Sequence, residues 1–291
     1  MMRGLHTPVR AIRRRVFKEV AQLGFKADED TLLADMEAIP YAIVNEDSEK
    51  YRESVYRARA IVRERLRLAM GLSLRPENKP VHLTAGVEAS NISEKYYEPP
   101  LMQVIPSACE SCEENKYEVS NICKGCLAHP CQEVCPKDAI SMVNGRSYID
   151  QEKCIKCGKC KSVCPYDAIA KKERPCQKAC GVNAIKSDKM GRAYIDNEKC
   201  VSCGMCMVSC PFGAISDKSQ IFQLARALSE GENVIAEIAP AFVGQFGDNI
   251  TPRNIKAALR ELGFSEVYEV ALGADIGAIA EAHHYVDKVV T

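Results

Sequence analysis

At 291 residues the chain is long enough for two or three compact units, each burying a modest core. Lysine plus arginine and aspartate plus glutamate both total 39, so a formal net charge of zero gives no global attraction to nucleic acid or to an anionic membrane surface. Sixteen cysteines are far too many for an ordinary domain, and all of them lie between Cys109 and Cys210, so one segment has a local need for sulfur.

In chain order, Arg14, Arg15 and Phe17 have the outline of a twin-arginine export signal, but Lys18, Glu19 and Gln22 follow where an apolar run is required. The reading is that the chain is not exported. No stretch of about 18 uncharged apolar residues occurs, so no bilayer-spanning helix is expected. The expectation is a cytoplasmic chain, where thiols stay reduced and clustered cysteines bind metal more often than they form disulfides.

Residues 1–105 are predicted to be helical, with one amphipathic helix over residues 52–70. There Val55, Ala58, Val62, Leu66 and Ala69 recur at helical spacing, while Arg57, Arg63, Arg65 and Arg67 mostly take other faces. These arginines, with Arg10, Arg13, Arg14 and Arg15, read as solvated helix faces; attraction to an acidic partner protein is the competing reading. Pro99, Pro100 and Pro106 mark a boundary.

A duplication follows. GRSYIDQEKCIKCGKCKSVCPYDAI, beginning at Gly145, returns as GRAYIDNEKCVSCGMCMVSCPFGAI at Gly191, 46 residues later. Upstream, HPCQEVCPKDAI from His129 returns as RPCQKACGVNAI from Arg174, offset by 45. Two related modules in tandem over residues 106–217 are therefore expected.

After Asp217 the pattern becomes α/β and cysteine disappears. Residues 233–238 read as a buried strand, and Thr251-Pro252 as a helix start with Ile255, Ala258, Leu259 and Leu262 on one face and Gly263 as the stop. Residues 266–272 read as a second strand and 274–289 as a second amphipathic helix, a βαβ unit plus a helix. Two parallel strands cannot cover their own faces and edges, so residues 221–291 read as an incomplete α/β unit. The fold class expected for the whole is α+β.

The chemistry lies in the cysteine spacing. Cys154, Cys157, Cys160 and Cys164-Pro165 form C-x2-C-x2-C-x3-C-P, and Cys200, Cys203, Cys206 and Cys210-Pro211 form it again. Three close thiolates can hold three corners of one [4Fe-4S] cubane while the fourth reaches the neighbouring cluster. Zinc sites come instead as two separated C-x2-C pairs closing one tetrahedron.

These residues resemble the bacterial-type ferredoxins, which hold two [4Fe-4S] clusters in a pseudo-twofold βαββαβ fold. The resemblance implies a first cluster on Cys123, Cys126, Cys131 and Cys164, and a second on Cys154, Cys157, Cys160 and Cys135. Residues 127–130 make the loop between Cys126 and Cys131 two residues longer than the family pattern, so it should be wider. The second module has only Cys176 and Cys180 in its first half, with Gly181 where proline would stand. Cys109 and Cys112 have the missing C-x2-C spacing. The second ferredoxin is therefore expected to be split, with the first inserted into it, as a compact domain with close termini allows. A third cluster would then use Cys200, Cys203, Cys206 and Cys180, and a fourth Cys109, Cys112, Cys176 and Cys210. A three-cluster protein, with the leftover cysteines free or binding zinc, is the alternative.

Ala139-Ile140, Ala168-Ile169, Ala184-Ile185 and Ala214-Ile215 follow the fourth cysteines and are expected to shield the clusters from water. His129 reads as a plain loop histidine rather than an electron or proton gate, and His283 and His284 as no metal site.

Finally, VIAEIAPAFVGQFGDNITPRNIKAALRELGFSEVYEVALGADIGAIAEA, from Val234, resembles the opening of the catalytic domain of [FeFe]-hydrogenases, most sharply at Ile238-Ala239-Pro240-Ala241, at residues 256–264 and at Ala274-Asp275. That family works at a six-iron H-cluster held by TSCCP-type, PCxxKxxE-type and CxxGC-type motifs, none of which occurs here, so no catalytic residue is assigned. The resemblance implies the electron-delivering, amino-terminal portion of such an enzyme, as a gene fragment or one half of a split protein, inactive in hydrogen evolution alone. Its expected partners are the remainder of a hydrogenase catalytic domain and a redox partner, either a ferredoxin or an oxidoreductase. The competing reading is a stand-alone polyferredoxin that docks onto a separate oxidoreductase. A zinc module binding protein or nucleic acid is a third, disfavoured by the Cys-Pro motifs.

Overall fold

The computed structural model describes residues 5–26, 29–45, 52–90, 99–247 and 249–290. The chain opens with helices α1 (Pro8–Lys26), α2 (Glu29–Ile43) and α3 (Val55–Ala69), then the single turn α4 (Val87–Ser90). Strands and single-turn helices follow: β1 (Met102–Val104), β2 (Lys116–Val119), α5 (Pro130–Glu133), β3 (Ile140–Val143), β4 (Arg146–Ile149), α6 (Lys159–Ser162) and β5 (Ile169–Lys172). Next come α7 (Pro175–Lys178), β6 (Ile185–Ser187), β7 (Ala193–Ile195), α8 (Met205–Ser209) and β8 (Ile215–Asp217). The last elements are α9 (Ile221–Ser229), β9 (Ile235–Ile238), α10 (Pro252–Glu261), β10 (Glu266–Glu269) and α11 (Val270–Tyr285). The whole is a mixture of helices and small sheets that separates into two compact units, one of Met1–Ala11 with Pro99–Asp217, the other of Ile12–Glu98 with Lys218–Thr291.

The first unit holds every cysteine. Its strands pair antiparallel in twos: β2 with β5, β3 with β4, β6 with β7, and β1 with β8, the last joining Met102 to Asp217 across all the intervening elements. Two small cores result. One gathers Tyr117, Cys131, Ile140, Ile149, Cys160 and Ile169; the other gathers Met102, Cys176, Ile185, Ala193, Ile195, Cys206 and Ile215. The isoleucines and cysteines of the two cores correspond one to one through the sequence repeat, so the duplication is also a duplication of packing. The β3–β4 hairpin turns on Asn144 and Gly145, both left-handed at φ 51° and 73°, the backbone a two-residue hairpin turn of matching twist requires. The β6–β7 hairpin has one residue more, closing where Asp188 N–H donates to the Arg192 carbonyl at 2.9 Å. That extra residue is why the repeat offset changes from 45 to 46.

In the second unit α1, α2, α3 and α9 bury Val16, Val20, Leu23, Met36, Ile43, Val62, Leu66, Met70 and Phe222 in one core. Helix α3 lies where the periodicity predicts it, but the solvated-face reading of its arginines fails for two of them. Arg65 and Arg67 are 2% and 6% exposed. The Arg67 guanidinium donates to the carbonyls of Ser73, Leu83 and Ala85 at 2.9, 2.6 and 2.9 Å, so it satisfies the backbone of the loop that follows its own helix. Arg15 likewise donates to the carbonyls of Ala42 and Ile43 at the end of α2. On α9, Gln223 is buried, and its amide donates to the Met70 and Ser90 carbonyls at 3.0 and 2.8 Å.

The carboxy-terminal βαβ arrangement is present. β9 and β10 pair parallel, with Val267 and Ala236 on the buried side, and α10 starts at Thr251 with a reciprocal capping box to Asn254. Two expectations need correction. The second strand ends at Glu269 rather than residue 272, because the alanine-rich run from Val270 favours helix. Helix α11 is not amphipathic: Leu272, Ile276, Ile279 and Tyr285 are all exposed and apolar residues occur around the whole circumference. A five-residue π-turn, Val286–Val290, ends the described chain, and Thr291, the expected break in the unit, lies outside the described residues. Among the described residues no helix is long and apolar enough to cross a membrane.

Candidate metal centre

All sixteen cysteines carry free sulfurs, and the local backbone explains how they are presented. In the first C-x2-C pair of each half the residue just before the second cysteine is left-handed: Ser111 at φ 46°, Gly125 at 57°, Lys156 at 59° and Ser202 at 54°. This kink lets two cysteines three positions apart face one side. The third position of each half sits in a single-turn helix, Cys131 in α5, Cys160 in α6, Cys176 in α7 and Cys206 in α8, and all four are buried.

The fourth positions share another device. Three residues after Cys135, Cys164, Cys180 and Cys210 the chain is again left-handed, at Asp138, Asp167, Asn183 and Gly213. The next amide then points back at the sulfur. Ala139, Ala168, Ala184 and Ala214 donate N–H to Cys135, Cys164, Cys180 and Cys210 Sγ at 3.3, 3.4, 3.2 and 3.4 Å. The isoleucine after each alanine is buried at 4%, 2%, 3% and 1% exposure, so the apolar pairs wall the sulfurs off as the sequence suggests.

Two sets of four sulfurs ring concavities. Cys135, Cys154, Cys157 and Cys160 line one, together with Tyr117, Ile140 and Ile149. Cys109, Cys112, Cys176 and Cys210 line another, together with Arg174, Ala193 and Ile215. A third set lies close together, since Cys180, Cys200 and Cys206 share one core and the charges of Cys200, Cys180 and Cys203 would each repel a thiolate at Cys206. Of the remaining set, Cys131 and Cys164 border one core, while Cys123 and Cys126 flank Gly125, whose α-carbon lies against the Gly145 carbonyl. Cys157 and Cys203 are exposed.

The pair upstream of the first module has the same hydrogen-bonding partner as its counterpart. Ala193 N–H donates to Cys109 Sγ at 3.3 Å, and the backbone of Ser147, the equivalent residue 46 positions earlier, donates to Cys123. The thiols otherwise sit in an environment that disfavours isolated negative charge. Burial, then the neighbouring Cys210 sulfur, pushes Cys176 up to about 12; burial, then the Met207 amide working against it, leaves Cys206 at about 11. Cys112 and Cys160 are raised chiefly by burial as well. Cys123 goes the other way: burial raises it, but the Ser147 and Gly125 amides outweigh that and lower its pKa. Four sulfurs crowded in an apolar cup are stable as thiolates only against compensating positive charge, and iron supplies that charge while displacing the protons. Amide donors, apolar walls and all-sulfur donor sets fit [4Fe-4S] clusters, which are held by four cysteines. Among the described residues no three or more histidine, cysteine or carboxylate side chains converge on a point suited to a single ion.

Two contributors were not read from the sequence. Tyr117 is buried beside Cys160, and its ring fits against Gly158 because that residue lacks a Cβ. Arg174 is 2% exposed and lines the Cys109 concavity. The only sequence signal for it is that Arg174 stands where the first module has His129. His129 itself, left-handed at φ 40°, begins α5 and is half-buried; His283 and His284 are exposed on α11.

Comparison with known proteins agrees with this geometry. The LdpA Fe-S cluster-binding domain family matches residues 123–174, and the 4Fe-4S binding domain family matches residues 193–216. A 7Fe ferredoxin of Hydrogenibacillus schlegelii is 43% identical over 53 residues, which is 18% of this chain and 68% of the relative. The chain belongs to the ferredoxins. Within that family it resembles an uncharacterized ferredoxin of Methanocaldococcus jannaschii, 33% identical over 99 residues, 28% of this chain and 63% of the relative. It also resembles the electron transport protein HydN of Escherichia coli, 37% identical over 71 residues, 24% of this chain and 41% of the relative. The chain thus spans less than two thirds of the length of both. Residues 232–291 match the iron only hydrogenase large subunit, C-terminal domain, so this ferredoxin also carries hydrogenase-family sequence. It is a ferredoxin-rich, hydrogenase-like iron-sulfur protein with multiple [4Fe-4S] clusters.

Proposed function

We propose that the sixteen cysteines hold four [4Fe-4S] clusters in two nested ferredoxin modules, and that the chain delivers electrons to the catalytic domain of an [FeFe]-hydrogenase-like enzyme. Cluster one uses Cys123, Cys126, Cys131 and Cys164, and cluster two Cys135, Cys154, Cys157 and Cys160. Cluster three uses Cys180, Cys200, Cys203 and Cys206, and cluster four Cys109, Cys112, Cys176 and Cys210. The inner module runs from β2 to β5; the outer begins with β1 and the Cys109 pair and resumes at Arg174. The single observation behind this reading is the equivalence of the two upstream pairs. Ser111 and Gly125 share the left-handed kink, and Cys109 and Cys123 accept an amide from repeat-equivalent residues.

When bound, a cubane takes up and releases one electron at a time. The protein's own contribution is to hold four sulfurs apart in a fixed cup, to donate amides to them, and to keep water out with the Ala-Ile pairs. The exposed Cys157 and Cys203 bring two clusters nearest the surface, where a redox partner can exchange electrons. Thiols kept reduced fit a cytoplasmic setting.

The test is spectroscopic. Anaerobically reconstituted protein, titrated with reductant and followed by electron paramagnetic resonance, should show four one-electron centres, and Cys109→Ala with Cys112→Ala should remove one. Three centres in both proteins would refute the fourth site. The resemblance to HydN and other ferredoxins favours a second reading, a carrier that docks onto a separate oxidoreductase. A TSCCP motif encoded in frame after the Thr291 codon supports delivery within one enzyme; a stop codon there supports the carrier.

A further inference from the structure

The two modules solve the same assembly problem with different means. In the inner module Cys126 and Cys131 are joined by a four-residue loop, residues 127–130, so the chain itself keeps the first pair beside the third ligand. In the outer module Cys112 and Cys176 are separated by 63 residues that include all of the inner module, so no local covalent link sets their spacing. Something other than the loop must hold them in register.

Arg174 stands at that junction. It immediately precedes Pro175 and the turn α7, which carries Cys176, and its side chain runs back under the Cys109–Cys112 loop. Nε and one terminal nitrogen both donate to the Cys112 carbonyl, at 3.1 and 2.9 Å. The same terminal nitrogen donates to the Gly191 carbonyl at 2.8 Å, and the other donates to Ser187 Oγ at 2.8 Å and to the Lys186 carbonyl at 3.4 Å. Ser187 Oγ in turn donates to Glu114, whose carboxylate lies 3.9 Å from the guanidinium. One buried, permanently charged fork therefore ties three separate stretches together: the Cys109–Cys112 segment, the start of α7 and the β6–β7 hairpin. Its planar fork is what allows two bonds to converge on one carbonyl oxygen while the remaining N–H groups reach other acceptors. His129, at the same place in the inner module, is half-buried, differs in backbone conformation, and begins the short loop's own helix turn.

We infer that Arg174 is the positioning residue that closes the fourth cluster's site, substituting side-chain hydrogen bonds for the covalent loop lost when one module was placed inside the other. This rests on the four-cluster reading above. It predicts that Arg174 acts on one cluster alone, through its multipoint geometry rather than its charge, which Glu114 offsets.

The experiment compares full-length wild type, Arg174→Lys, Arg174→Ala and His129→Ala, reconstituted anaerobically, by iron content and by the rate at which an iron chelator strips each protein. Wild type should hold about sixteen irons per chain; about twelve would remove the four-cluster reading itself, before Arg174 is tested. Given about sixteen, Arg174→Ala should fall to about twelve with the other three resonances unchanged, while His129→Ala stays at about sixteen. Arg174→Lys, which keeps the charge but cannot fork, should assemble four clusters and release one quarter of its iron at least about tenfold faster than wild type, a loss of roughly 1.4 kcal/mol in the barrier. Should Arg174→Ala fail to fold, the lysine variant decides alone. Release from the lysine variant at the wild-type rate, or faster release spread evenly over all clusters, overturns the inference.

Discussion

Gly125 offers the sharpest single-residue test of the loop geometry. It is left-handed at φ 57°, and a Cβ built on it would fall well inside 3.0 Å of the Gly145 carbonyl oxygen. Gly145 is also left-handed, at φ 73°, yet a Cβ there meets nothing within 4 Å. Gly145→Ala therefore costs only the left-handed conformation, about 1–2 kcal/mol, partly offset by the smaller entropy of the unfolded chain. Gly125→Ala adds a backbone collision that forces the Cys123–Cys126 loop off the β3–β4 turn, roughly another 1–3 kcal/mol. The assay is anaerobic guanidinium unfolding followed by visible absorbance, with iron counted before and after gel filtration. Gly125→Ala should unfold at clearly lower denaturant and shed about four irons, whereas Gly145→Ala keeps its full complement. Equal behaviour of the two variants would refute the close packing of this loop.

Other expectations concern both units. Arg67→Ala removes a charged donor from three loop carbonyls and should destabilise the helical unit by about 3 kcal/mol or more, with iron content unchanged; thermal unfolding by far-ultraviolet circular dichroism checks this. Gln223→Ala leaves the buried Met70 and Ser90 carbonyls without its amide and should cost about 1–3 kcal/mol in the same measurement. Asp188 accepts from the Met190 and Arg192 amides at 2.8 Å each and from Arg192 Nε at 2.9 Å; burial alone would raise its pKa, but these donors lower it below 3.8. Its contribution to stability is thus present above the unfolded value and lost as pH falls through the folded one. Asp188→Asn should weaken the unit at neutral pH, with the difference from wild type fading in acid; a difference constant down to the lowest pH would contradict the assignment.

The sequence carried the features that depend on neighbours in the chain. The Cys-Pro spacing, the Ala-Ile pairs, the 46-residue repeat and the Thr251-Pro252 helix start all act over a few residues, and each has its counterpart in the structure. Contributions that depend on distant segments were not legible. Arg65 and Arg67 look like any solvated helix arginines until the loop of residues 73–85 and the rest of the unit cover them. Nothing in the letters of α9 says that Phe222 and Gln223 pack with α1 and α3, some two hundred residues earlier in the case of Val20. Arg174 differs from His129 by one letter, and only the folded backbone shows that this letter spans three segments. The left-handed residues before each second cysteine were hidden for another reason: Ser111, Lys156 and Ser202 are not residue types that advertise positive φ.

The account depends above all on sulfur-bound cubanes. Iron and acid-labile sulfide counted per chain in protein purified without oxygen test this most directly. About sixteen of each, in a brown protein whose centres accept single electrons, is the predicted result. Colourless protein holding zinc and no inorganic sulfide would contradict it.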